Sequence, residues 1–244
     1  MVCNQIQKQL RKHKSIVSII LLCIGLLMIL ASKDNQVISG VGISILASAI
    51  TTLVTIFFID DEDRLKTVKD WGLEHVYPTR GEMNASTDAY LLKARSVKTI
   101  AFGMASWRDS KTADVKRLLQ RGGSIKIITM DPDCDNLKAR ERDEHNKGIG
   151  DSIRDLIKWA ERLNGESDSG KIEIRIHDHL PQEFIFLMDN RLFCGPYEYG
   201  KGSQQTVSFE YSVTGKAYEY YQDLFDNLWE NKEFCRNAFS ERSS

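Results

Sequence analysis

The chain has 244 residues, 42% hydrophobic and 27% charged, with a formal net charge of −1. That length holds one membrane module and one soluble domain of ordinary size. A mildly acidic balance argues against non-specific nucleic-acid binding, which needs clustered Lys and Arg to displace counterions, so no direct nucleic-acid partner is expected. The five cysteines, Cys3, Cys23, Cys134, Cys194 and Cys235, are odd in number, widely spaced and without a CxxC pair. That pattern argues against a disulfide framework and a cysteine zinc site, and fits a reducing compartment.

Residues 1–14 form a basic arm in which Lys8, Arg11, Lys12 and Lys14 contribute about +4, leaving about −5 for the remainder. Residues 15–59 then carry two apolar runs, Ile16–Ala31 and Val37–Ile59, joined by the short polar stretch "SKDNQ". The second run has 23 residues without a charge, enough for a ~30 Å hydrocarbon core at ~1.5 Å per helical residue. The first completes a span with its flanking Ser and Lys side chains. A signal peptide is the competing reading, but no small-x-small cleavage site precedes Lys33 and a second span follows at once. The expectation is a two-helix transmembrane hairpin. Basic residues in the arm and turn predict a cytoplasmic N-terminus, and an even number of spans returns the following domain to that side.

Within the second run, Gly40, Ser44, Ser48 and Thr52 recur every four residues and so share one helical face. Gly42, Ala47, Ala49 and Thr51 widen that small-residue surface. In lipid, helices associate through close packing and hydrogen bonds. Two uses stay open: self-association between chains into a homo-oligomer in the bilayer, or packing on the first run of the same chain through Gly25. Neither run carries a charge, which gives no support to an ion channel or proton relay.

Residues 60–80 read as a helical stalk or linker, "DDEDRLKTVKDWGLEHVYP", ending near Gly72 or before Pro78. Residues 81–244 alternate in period. "EMNASTDAYLLKAR" predicts a helix, "VKTIAFGMAS" a strand, "TADVKRLLQRGG" a helix with a Gly stop, and "SIKIITMD" a strand. "IGDSIRDLIKWAERLNG" predicts an amphipathic helix, "KIEIRIHD" a strand, and "EFIFLMDNRLFCG" a hairpin turning at Asp189-Asn190. "QTVSFEYSV" closes the strands and "KAYEYYQDLFDNLWENK" is a final amphipathic helix. The predicted fold is a transmembrane hairpin followed by a cytoplasmic α/β domain with a mixed sheet.

The polar cluster "ITMDPDCD" puts Asp131, Asp133 and Asp135 at a strand's C-terminal edge, where open α/β sheets bind ligands. It lacks the rest of a calcium loop, because the twelfth position is Arg142. His177 and His179 share a strand face without a third ligand at metal spacing. Ser106, in the loop after "FGMAS", is placed to donate to a phosphate. No metal or cofactor is expected, since the chain has no Walker loop, no GxGxxG and no GxSxG.

The order strand, helix ending in Gly, strand, and later a hairpin resembles one half of the phospholipase D fold over roughly residues 85–230. That family carries HxKxxxxD in the hairpin, with a His nucleophile and a Lys that holds phosphate charge. The matching stretch is "QEFIFLMD", in which only Asp189 fits: Gln182 stands at the His position and Phe184 at the Lys position. The resemblance implies the fold and argues against that catalysis, so no catalytic residue is assigned. A two-span hairpin on a cytoplasmic α/β domain also resembles membrane effectors of bacterial antiphage systems of the retron and cyclic-nucleotide types. It implies an abortive-infection effector held by a protein partner or nucleotide-type signal and released to disrupt the membrane. The alternatives are a membrane-tethered phosphodiesterase or nuclease using Asp131, Asp133, His177 and His179, and a passive scaffold.

Overall fold

The computed structural model describes residues 2–32, 35–143, 148–198 and 200–239, and the side chains of 16–32, 35–55, 65–142, 148–198 and 200–239. The basic side chains of the arm, Lys33, Asp34 and the acidic run 60–64 expected in the stalk lie outside the described side chains. The chain divides into two units, Met1–Val68 and Lys69–Ser244.

The first unit is a pair of helices, α1 (Val2–Ala31) and α2 (Gln36–Trp71). No proline occurs before Pro78, so nothing in either run breaks the helical hydrogen-bond ladder. The Ser32 hydroxyl donates to the Ile29 carbonyl at 2.8 Å near the end of α1. Asn35 caps α2, its Oδ1 accepting from Val37 N–H at 3.1 Å. Gln36–Thr55 of α2 is long and apolar enough to cross a membrane, whereas Ile16–Ala31 is a shorter apolar stretch.

The helices meet backbone to backbone. A Cβ built on Gly25 would lie 3.0 Å from the Gly42 carbonyl oxygen, and one on Gly42 would lie 3.0 Å from that of Gly25. Ala49 and Ser18 are also buried. The packed row of α2 therefore runs through Gly42 and Ala49, not through Gly40.

α2 stops at Gly72, whose φ of +76 provides the left-handed turn that ends a helix. Of the two ends read for the stalk helix, Gly72 and the residue before Pro78, the helix takes the first, and only the remainder of the 60–80 segment differs from a stalk or linker. Leu73–Tyr77 is a strand, β1, paired antiparallel with β7 (Ser208–Ser212). The turn at Gly72 frees the backbone polar groups after it to pair with a sheet edge.

Two short helices, α3 (Arg80–Ser86) and α4 (Asp88–Leu91), replace the single one expected. Next come β2 (Ser96–Ile100), α5 (Ala105–Gln120), β3 (Ser124–Met130), α6 (Asp135–Asp143), α7 (Ile149–Gly165) and β4 (Lys171–His177). The hairpin is β5 (Glu183–Met188) and β6 (Arg191–Pro196), and α8 (Lys216–Glu230) and β8 (Arg236–Asn237) follow β7. Eight strands form one sheet in the order β1-β7-β6-β5-β2-β3-β4-β8. The β2–β3 and β3–β4 pairs are parallel and the others antiparallel, so the expected mixed α/β sheet is present.

Each sheet face carries its own apolar core. Val97, Phe184, Phe186 and Met188 join side chains of α5 and α7, including Leu118, Ile153 and Leu156. Ile100, Ile128, Ile185 and Leu187 meet Phe225 and Trp229 of α8. Strand alternation thus sends Phe184 and Phe186 to one face and Ile185 and Leu187 to the other. Each large buried apolar side chain contributes about 1.5–3 kcal/mol.

Candidate functional site

β2 runs into Gly103 and Met104 before α5 begins. Met104 takes the left-handed conformation, φ 51, and makes no side-chain cap for α5. No acidic residue occupies the first turn of this 16-residue helix. Gly103 permits a close approach to α7: a Cβ there would fall 2.0 Å from Ser152 Oγ. The uncapped start of α5 therefore opens beside a cavity of about 320 Å³.

The cavity is lined by aromatic and small polar side chains, among them Phe102, Trp107, Phe184, Phe186 and Tyr197 with Asn84, Ser106, Ser152 and Gln204. Its cation is Arg80, only 7% exposed. The guanidinium carbon of Arg80 sits 3.6 Å from the Phe184 ring centroid and 4.7 Å from that of Tyr197. Arg80 Nη2 donates to Thr206 Oγ1 at 3.4 Å. A guanidinium held between rings keeps its charge with little loss of further rotamer freedom. Trp107 also lines the cavity, and its buried indole N–H has no hydrogen-bond partner among the described residues. The neighbouring start of α7 is already served, since Glu141 Oε1 accepts from Gly150 N–H at 2.9 Å.

Of the residues singled out in sequence, Ser106 lines this cavity and is exposed. Phe184, at the Lys position of the phospholipase D pattern, lines it too. Asp189 does not: its carboxylate accepts from Arg95 N–H at 2.7 Å and Ser96 N–H at 2.8 Å, tying the β5–β6 turn to the start of β2.

The aspartates of "ITMDPDCD" go to separate partners. Asp131 pairs with Arg236 and accepts from Asp133 N–H at 2.8 Å, Asp133 pairs with Arg154 at 2.5 Å, and Asp135 with Lys138 at 3.0 Å. His177 and His179 do come together, on the other sheet face. They stack with Phe234, at ring-centroid distances of 4.9 and 5.1 Å. His177 Nδ1 accepts from His179 N–H at 3.2 Å, and His177 Nε2 is buried without a partner among the described residues. Burial first, and the nearby His179 second, lower the His177 pKa to about 4, so the ring is neutral at pH 7. These two histidines line a second hollow with Tyr221, Leu224 and Phe234.

On α2, Gly40, Ser44, Ser48 and Thr52 are all outside the packed row. Among the described residues, nothing lies within 4 Å of a Cβ built on Gly40. Ser44, Ser48 and Thr52 are exposed, and the Ser44 and Thr52 hydroxyls donate to the carbonyls four residues back, at 3.0 and 2.8 Å. Arg80, Trp107 and Tyr197 were not singled out from sequence. Arg80 carried only a weak signal, a charged residue directly after the Thr79 cap, and its place on Phe184 depends on sheet order.

No family model matches the chain, and no curated protein matches it. Among solved structures, it is similar to TrmBL2, an archaeal chromatin protein whose structure is described as showing a novel mode of DNA binding. The identity is 13%, the TM-score 0.41, and the match covers 81% of this chain and 70% of that one. This finding corrects the expectation of no direct nucleic-acid binding, which is withdrawn. Net charge is an average over patches of both signs. Arg108, Lys158 and Arg162, for example, share one surface hollow with Asp109 and Asp155. A likeness this distant does not assign DNA binding to this chain.

Proposed function

We propose that the chain is an effector of a bacterial inner membrane in antiphage defence, anchored by both α1 and α2. In this reading the α/β unit, a phospholipase D-like half without that family's chemistry, binds a signal or partner. Its release lets the Gly40, Ser44, Ser48 and Thr52 face assemble chains into a membrane lesion. The observation that carries the reading is the division of labour on α2. The contact with α1 uses Gly42, while Gly40 has room for a Cβ and Ser44, Ser48 and Thr52 are exposed. In lipid, an exposed row of small residues is a surface on which a second helix can approach closely. A signal acts on such an equilibrium only through unequal affinity for the two states.

The α/β unit is proposed as a binding module rather than a hydrolase. Among the described residues lining the cavity there is no His, Asp, Glu, Cys or Lys to serve as nucleophile or general base. Dye uptake and membrane potential in cells expressing the chain test the membrane part. Wild type is expected to depolarise cells, and Gly40→Leu and Ser44→Leu to abolish the effect at equal expression. Bulky variants as damaging as wild type refute the interface.

A further inference from the structure

We infer that the Arg80 cavity binds a ring-bearing organic phosphate of about mononucleotide size, its phosphate at the first turn of α5 and its ring against the aromatic wall. The inference deepens the reading of the α/β unit as a binding module and rests on it. Four independent features converge. The cavity, about 320 Å³, lies at the lower end of the ~300–1,000 Å³ range of small-molecule sites. A cation, Arg80, is buried in its wall. The start of α5 has neither a side-chain cap nor an acidic residue in its first turn. Trp107, in that same first turn, holds a buried indole donor without a partner among the described residues.

The charge pattern selects an anion. First-turn N–H groups and the helix dipole favour negative charge, and a guanidinium adds to it. The contrast with α7 sharpens this. At α7 the chain's own Glu141 carboxylate already accepts from the first turn, while α5 has no such internal acid. The rest of the wall selects a flat ring. Phe102 and Tyr197 pack on each other, 4.7 Å apart by ring centroid at 55°, and with Phe184, Phe186 and Trp107 they give the cavity an aromatic wall. Rings stack on such surfaces whatever their edge chemistry, while Asn84 and Gln204 offer amides to hydrogen-bond a ring edge or sugar. Asn84 Nδ2 donates to Gln204 Oε1 at 3.0 Å, so the two amides already orient each other.

The test is calorimetric titration of the full chain in detergent with AMP, adenosine and inorganic phosphate. AMP is expected to bind more tightly than either fragment. Ser106→Glu places a carboxylate in the first turn of α5, where it competes with the ligand phosphate. It is expected to weaken AMP by roughly tenfold or more, because a charge-assisted hydrogen bond is worth about 1.5–3 kcal/mol. The same carboxylate favours the helix dipole, so Tm should hold or rise by about 1–3 °C, which separates lost binding from lost folding. Ser106→Gln, matched in size, is expected to keep AMP within a few-fold of wild type. Equal effects of Glu and Gln, adenosine binding as tight as AMP, or no AMP binding at millimolar concentration each overturn the inference. Failure here is distinguishable from failure of the membrane reading. AMP binding without cell damage sinks the lesion alone. Damage blocked by Gly40→Leu without AMP binding sinks the ligand alone.

Discussion

The helical pair and the sheet unit reach close packing by different routes, and each leaves one thing unused. In the pair, two glycines bring backbone against backbone at Gly25 and Gly42, while Gly40, two positions away, has room for a Cβ and Ser44, Ser48 and Thr52 are exposed. In the sheet unit, long apolar side chains fill two cores, and the remaining space on one face is walled by rings and a buried cation. The comparison teaches where to look for function. A small residue that is packed is part of the fold, and a small residue that is open is available to something else. A hollow lined only by apolar groups can be packing slack, while one that holds a charge away from water has met the cost of burying it.

The largest expected effect lies at the packed row. Gly42→Leu forces a side chain where a Cβ alone would already approach Ile29 Cγ1 at 2.9 Å. We expect a loss of about 3 kcal/mol or more in the association of α1 with α2, read by cysteine cross-linking between the helices in membranes. Gly40→Leu should change that cross-linking by less than about 0.5 kcal/mol. If the two substitutions cost the same, the division of α2 into a packed and an open row is broken.

Next in size is the close approach of Gly103 to α7 beside the cavity. Gly103→Ala places a Cβ 2.5 Å from the Ser152 carbonyl carbon as well as on its Oγ. It should cost about 2–3 kcal/mol in thermal or denaturant unfolding, and Ser152→Gly should recover only part, since the backbone clash remains. Full recovery would show that the side chain alone sets the approach.

His177 probes the other face. Its folded pKa of about 4 lies below the ordinary value of 6.5, so protonation favours the unfolded chain. Its contribution is fully present above about pH 6.5 and is lost as the pH falls toward 4. Between pH 7 and pH 5 the loss should be about 2 kcal/mol by denaturant unfolding, and His177→Leu should flatten that slope. An unchanged slope would place the acid sensitivity elsewhere. The smallest effect is the surface pair Lys98–Asp226, 2.7 Å apart and partly exposed. Lys98→Met should cost at most about 1 kcal/mol and less in high salt.

Much of the sheet unit was legible because its strands are periodic and bounded. "EFIFLMDNRLFCG" turns at Asp189-Asn190 as read, between β5 and β6. Two elements were not legible. The Asp-Pro of "DPDCD" reads as the start of a loop, yet α6 begins three residues after Pro132, at Asp135. The two-residue β8 is too short for any period and exists because Arg236 and Asn237 pair with β4. The aspartate trio and the histidine pair drew attention as local clusters, but Asp131 and Asp133 went to the distant Arg236 and Arg154, Asp135 to nearby Lys138, and both imidazoles to the Phe234 ring.

The sequence by itself determined the apolar runs, the two-faced strands and the lack of His and Lys in "QEFIFLMD", since each is a local pattern of residue types. Only the tertiary structure decided which of two interleaved small-residue rows is packed, because that depends on the rotation of α2 against α1. It alone placed Arg80 on Phe184 and both beside the open start of α5. That meeting needs the strand order that sets β5 next to β2, a pairing between residues far apart in the chain.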